Sequence, residues 1–78
     1  MTLEERLAQR ALQAAGQGNV DLELAAGDVL EAAEGDQEAL ELARRQTAQH
    51  VADHPGDALA ATALEVLETA LQVGYGGQ

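Results

Sequence analysis

Residues 57–73, which read DALAATALEVLETALQV, decide the fold of this chain. At about 100° per residue, the apolar side chains of this stretch fall on one half of a helical cylinder and the polar ones on the other. The apolar set is Leu59, Ala60, Ala63, Leu64, Val66, Leu67, Ala70, Leu71 and Val73. An apolar half-cylinder is wider than contact with one neighbour requires, so this helix is expected to pack against several others. We expect Leu64, Leu67 and Leu71 to be among the most buried residues.

Three further helices are predicted on the N-terminal side of this stretch. Thr2 with Glu5 matches a capping box, and Asp21 is a suitable N-cap for the second helix. The turn at Gly35 separates the second helix from the third, and Pro55 separates the third from the last. The predicted helices span residues 3–15, 22–34, 37–53 and 58–73, with a frayed tail at 75–78. Short connections between them predict one all-α domain over residues 1–78, a compact antiparallel four-helix bundle.

Two glycines have predicted structural roles. Gly27 in the middle of the second helix costs about 1 kcal/mol relative to alanine, which favours close approach of a neighbouring helix there. Gly74 is expected to end the last helix in a left-handed conformation, with Tyr75 folding back over the final turn. The stretch Gly16-Gln17-Gly18-Asn19 is expected to end the first helix.

The composition restricts the class of partner. Fourteen acids against four arginines give a formal net charge of -10, and the chain has no lysine. Such a surface repels phosphate backbones and anionic lipid, so we expect no direct binding to nucleic acid or membrane. The absence of cysteine excludes disulfides and thiolate chemistry, and the absence of serine excludes a serine triad. An acidic N-terminus and an Ala-rich, lysine-free composition indicate a cytoplasmic protein from a prokaryote with a GC-rich genome.

Part of the chain resembles a tetratricopeptide-type helical hairpin. Within residues 35–58, Gly35-Asp36 opens a helix that carries Ala39-Leu40-Glu41-Leu42-Ala43-Arg44, and Pro55-Gly56-Asp57-Ala58 begins the next helix. The family's aromatic positions are not matched, and the segment is about one helical turn too long. What the resemblance implies is a helical surface that binds protein.

His50, Asp53 and His54 form the one arrangement with catalytic spacing. Imidazoles at i and i+4 share a helix face and can bind a transition metal, and the pattern loosely resembles an inverted zinc-peptidase motif with Asp in place of Glu. A catalytic zinc needs a third protein ligand and a cleft, and we do not expect so small a chain to provide either. We therefore expect neither a metal site nor a cofactor. The simpler interpretation is that the histidines interact with the helix dipole at its C-terminus.

Two groups of residues are candidates for binding a protein partner. The first is the acidic set around the turn between the second and third helices, which is either a docking patch for a basic protein or a solvated rim. It comprises Asp28, Glu31, Glu34, Asp36 and Glu38. The second is Leu24 with Leu42, which lie off the inward faces of two helices expected to be antiparallel neighbours. Because an Ala-rich core gains from further burial, these leucines are predicted to form one patch for a homodimer or a helical partner.

The sequence therefore favours a non-enzymatic protein-interaction module or small subunit, which self-associates or docks a basic or helical protein. One alternative is a small metal-binding protein or metal-dependent hydrolase that uses His50 and His54. Another is an acidic inhibitor or antitoxin that masks a basic nucleic-acid-binding partner.

Overall fold

The computed structural model describes residues 2–17 and 21–75, which form four α-helices and confirm the predicted all-α bundle. The helices are α1 (Leu3–Ala15), α2 (Leu22–Ala33), α3 (Gln37–Asp53) and α4 (Ala58–Tyr75). The expectations for Gly18, Asn19 and the tail at 76–78 lie outside the described residues.

Side chains at the N-cap positions fix where the helices begin. Thr2 accepts a hydrogen bond from the backbone N–H of Glu5, and Asp21 accepts from two N–H groups of the first turn of α2. Asp36 and Asp57 accept from the N–H groups of Ala39 and Ala60 at the starts of α3 and α4. Each bond satisfies an N–H group that lacks a partner within its own helix.

The helices run alternately up and down, and α1 and α4 pack together in the middle of the bundle. Both of these helices also contact α2 and α3, whereas α2 and α3 make few contacts with each other. The expectation that α2 and α3 are packed neighbours is therefore wrong. The short turn that joins them contains Glu34 and Gly35, both with positive φ, and the two helices diverge from it to opposite sides of the α1/α4 pair. Glu34 is the left-handed cap of α2, so that helix ends one residue earlier than predicted.

The core is assembled from a few large side chains and many alanines. The largest fully buried residues are Leu7, Val29, Leu40, Val66 and Leu67. In the described part of the chain, the other ten buried apolar residues are alanines, which allow the helices to approach closely but bury little area each. The core is therefore rich in alanine, as the sequence predicts.

The inward face of α4 is narrower than predicted. Leu67 is fully buried, as expected, but Leu64 and Leu71 are only half-buried. Both lie at the edge of the stripe formed by the buried residues of α4, and Leu71 packs against the core from there. Leu59 and Val73, also expected to face inward, are 46% and 62% exposed because they lie in the first and last turns of α4.

The two glycine predictions are also corrected. A Cβ atom added at Gly27 would meet nothing within 4 Å, so no helix approaches closely there. Gly74 does not end α4, which continues to Tyr75. A Cβ atom at Gly74 would instead lie 2.5 Å from Cδ2 of Leu30, so this glycine is the one at which α2 and α4 come close. Tyr75 packs against the core from the last turn of the helix.

Candidate functional site

The most distinctive surface feature is an apolar groove between α1, α3 and the start of α4. Its volume is about 460 Å³, and it is lined by Ala8, Leu12, Gln46, Thr47, His50, Asp57, Leu59 and Ala60. We call it the Leu12–Leu59 groove after its two large apolar side chains. Leu12 is 37% exposed, and Leu59 is more exposed still. Two nearby depressions along α1 and α2 are lined mainly by polar and charged groups, so they differ from the groove in chemistry.

The groove exists because α4 begins with apolar residues that the other helices do not fully cover. Leu59 points to the same side of α4 as the buried residues Ala63 and Ala70, since these positions share a helical stripe. It nevertheless stays half exposed, because α1 ends at Ala15 and the side chain at Gly16 is absent. A Cβ atom at Gly16 would lie 4.0 Å from Cδ1 of Leu59. The result is an inward-facing leucine with open space beside it.

A hydrogen-bonded pair, His50 and Asp57, lies at the polar rim of the groove. Nε2 of His50 is 2.9 Å from Oδ2 of Asp57, which joins the end of α3 to the start of α4. The other carboxylate oxygen, Oδ1, accepts from the backbone N–H of Ala60 at 3.1 Å. The hydrogen bond with His50, assisted by the one from Ala60, holds the pKa of Asp57 below its usual value. Asp57 is therefore an anion at neutral pH.

The candidate metal ligands are placed as follows. The rings of His50 and His54 are stacked obliquely with centroids 4.7 Å apart, and both residues are exposed at the end of α3. Asp53 accepts a hydrogen bond from the side chain of Gln49. Nε2 of His50 already bonds to Asp57. Within residues 2–17 and 21–75, no three His, Cys, Asp or Glu side chains come together as a metal-binding group.

The five acids of the candidate docking patch are all exposed, but they have different surroundings. Asp36 uses its carboxylate as the N-cap of α3. Glu34 lines a depression with Arg6 and Arg10, and Asp28 lines an adjacent one with Arg10. The remaining two, Glu31 and Glu38, lie on the solvent side of their helices. Arginines on α1 thus offset part of the negative field that the sequence predicts for this surface.

Leu24 and Leu42 differ in exposure. Leu24 is 75% exposed and lies beside α1, where it lines a depression with Arg10 and Asp28. Leu42 is only half-buried, and it belongs to a helix on the other side of the α1/α4 pair. The separate positions of α2 and α3 remove the reason for expecting a single patch from these two residues.

The sequence patterns singled out neither Leu12 nor Leu59, and they placed Leu59 on the inward face of its helix. The signal that identifies them is their position near helix ends. Leu12 lies in the last turn of α1 and Leu59 in the first turn of α4. In an antiparallel pair these two turns meet at the same end of the bundle, where each residue has the fewest neighbours.

Comparison with known proteins gives no match to this chain, whether with family models, curated proteins or solved structures. The resemblance of residues 35–58 to a tetratricopeptide-type hairpin stays a prediction. None of the four described helices combines the length and the apolar character that a membrane span requires.

Proposed function

We propose that this chain is a non-enzymatic protein-interaction module that binds its partner through the Leu12–Leu59 groove. The observation that carries the proposal is the exposure of two leucines on either side of one concave, mainly apolar surface. Single exposed leucines are common, but apolar side chains that converge on one groove are typical of binding surfaces. Polar groups at one rim, His50 and Asp57, supply the few directional contacts that such surfaces need for specificity.

The energetics of the fold support the same interpretation. Among the described residues only five large apolar side chains are fully buried, so the domain gains limited stability from burial within itself. A partner that covers Leu12 and Leu59 would add apolar burial at about 25 cal/mol per Å². Binding would then stabilise the module as well as recruit the partner.

Photo-crosslinking in cells that naturally produce the chain tests this proposal. A benzophenone amino acid is placed at Leu59 in the groove or, as a matched control, at Glu65, which is exposed on the solvent face of the same helix. We expect a discrete protein adduct from position 59 and none from position 65. The identified protein, once purified, should bind the wild-type chain more tightly than the Leu59→Gln variant. The same adducts from both positions, or no adduct from position 59, would contradict the proposal.

A further inference from the structure

We propose that the partner presents a cationic amphipathic helix, whose apolar edge enters the Leu12–Leu59 groove and whose basic side chains face Asp57. This inference rests on the proposed function, because it specifies the chemical class of the occupant of the same groove.

The residues that line the groove determine which side chains of a partner can bind in it. Ala8, Leu12, Leu59 and Ala60 provide apolar walls, and a volume of about 460 Å³ has room for several aliphatic side chains. The walls are the sides of three helices, α1, α3 and α4, and they expose no strand edge to which an extended peptide can add. Apolar anchors at i, i+4 and i+7 of an incoming helix suit a groove of this kind.

Charge determines what surrounds those anchors. Among the described residues, Asp57 is the one carboxylate that lines the groove, and none of the four arginines lines it. The low pKa of Asp57 keeps that carboxylate ionised at neutral pH. With a net charge of -10 over the whole chain, an approaching lysine or arginine is attracted, whereas an acidic helix is repelled.

A second copy of the chain fits the groove less well. A stable interface buries about 800 Å² on each partner, which is about a sixth of the 4868 Å² surface of this protein. Bringing that much of two copies together is opposed by repulsion between their net charges of -10. A basic helix, in contrast, is attracted by the net negative charge of this chain.

Designed peptides test the inference directly. The probe is a labelled, alanine-based helical peptide with Leu at i, i+4 and i+7 and Lys on its other positions. One control peptide carries Glu in place of every Lys, and the other carries Gln in place of every Leu. Fluorescence anisotropy gives the Kd of each peptide for the wild-type chain and for three variants, all checked for retained helix content by circular dichroism. The variants are Leu12→Gln/Leu59→Gln, Asp57→Asn and Leu24→Gln.

The Leu/Lys peptide is expected to bind the wild-type chain, and Leu12→Gln/Leu59→Gln should raise its Kd by about tenfold or more. Leu24→Gln, which changes an exposed leucine outside the groove, should leave the Kd within about twofold. Asp57→Asn keeps an N-cap residue for α4 but removes the charge, so it should weaken binding by a few fold. Both control peptides should bind at least about tenfold more weakly, and added salt should weaken the Leu/Lys complex.

Several results would overturn the inference. These are no binding of the Leu/Lys peptide, equal binding of the Glu-containing peptide, or a Kd that Leu12→Gln/Leu59→Gln leaves unchanged. A reversible dimer in sedimentation that this double variant abolishes would assign the groove to a second copy. In that case, or if the crosslinked partner is acidic, the proposed function as an interaction module is retained. Only the proposal that a basic helix occupies the Leu12–Leu59 groove is then wrong. Failure of the crosslinking at position 59 would remove the proposed function itself.

Discussion

Asp57 serves two helices with its two carboxylate oxygens. Oδ1 caps α4 through the N–H of Ala60, and Oδ2 bonds to His50 at the end of α3. Among the described residues, this is the one ion pair within 4.0 Å. The residue therefore holds the third helix to the fourth across the turn that contains Pro55, and it sets the polar rim of the groove.

The first prediction concerns the pH dependence of that contact. Because the pKa of Asp57 is lower in the folded protein than its ordinary value of 3.8, its contribution to stability is present above pH 3.8. The contribution is lost as the pH falls below 3.8 through the folded pKa, where the folded state also binds a proton. Asp57→Asn keeps a good N-cap residue, so comparison with this variant isolates the charge.

Urea unfolding of both proteins between pH 7 and pH 2.5 measures the effect. The wild-type chain should be the more stable at pH 5 to 7, and the difference should disappear below pH 3.8. A difference that persists unchanged at the lowest pH would show that the carboxylate charge is not responsible.

The second prediction uses two glycines whose surroundings differ. Gly27→Ala should stabilise the protein by about 0.5 to 1 kcal/mol, because alanine has the higher helix propensity and the added Cβ meets nothing within 4 Å. Gly74→Ala should be less favourable than Gly27→Ala by about 1 to 3 kcal/mol, because its Cβ overlaps Leu30. Thermal or urea unfolding gives both values.

A double-mutant cycle separates the overlap at Gly74 from other effects. In a Leu30→Ala background the obstructing side chain is absent, so Gly74→Ala should now give about the same gain as Gly27→Ala. If Gly74→Ala is as unfavourable in that background as in the wild type, contact with Leu30 is not the reason for glycine at this position.

At the scale of the helix, α4 contacts each of the other three helices, and its buried stripe carries much of the core. Leu67→Ala should lower the free energy of unfolding by about 2 to 4 kcal/mol, because it removes one of the five largest buried side chains. Leu64→Ala, at the edge of the stripe on the same helix, should lower it by about 1 to 2 kcal/mol. Equal losses in chemical denaturation would mean that the two leucines are equally buried, contrary to the structure.

Helix α4 shows how far sequence periodicity can predict which side chains are buried. Periodicity and capping residues predicted four helices close to their observed bounds, and Thr2 and Asp21 cap α1 and α2 as predicted. Periodicity gives the direction of a side chain but not whether a neighbour extends far enough to cover it. Leu59 points inward and is exposed because α1 ends nearby, so the groove could not be found from either helix alone.

The arrangement of helices was less predictable than their positions along the chain. A short turn between α2 and α3 suggested that they are packed neighbours, but the left-handed Glu34 and Gly35 direct the helices apart. A glutamate in this conformation has no strong sequence signal, because non-glycine residues adopt it infrequently. Leu24 and Leu42 were grouped into one patch as a consequence of this error in helix arrangement.

At the scale of the whole molecule, the charges oppose compaction more than they support it. The net charge is -10, and the described residues contain a single ion pair within 4.0 Å, whose histidine is charged only when protonated. Acids in the first turns of α1, α2 and α3 interact favourably with the helix dipoles, but the last turns of α1, α2 and α4 carry no basic residue that would do the same. Added salt should therefore weaken the repulsion between the acidic side chains more than it weakens the attractive charge interactions, and so stabilise the folded state.

The last prediction follows from that balance. Raising NaCl from about 0.02 to 0.3 M shortens the Debye length from about 20 Å to about 6 Å, so repulsion between distant acids is screened while short contacts persist. We expect the stability to rise by about 1 kcal/mol, which for a domain of this size raises the Tm by about 4 to 8 °C. Glu31→Gln/Glu65→Gln removes two exposed acids that lie outside the first turns of their helices, where an acid would be favourable, and it should show both a higher Tm at low salt and a smaller increase with salt. Calorimetry of the wild-type chain and the variant over this range of NaCl concentration measures how the Tm of each depends on salt. A Tm that falls as salt is added would mean that attraction within local ion pairs outweighs repulsion from the net charge.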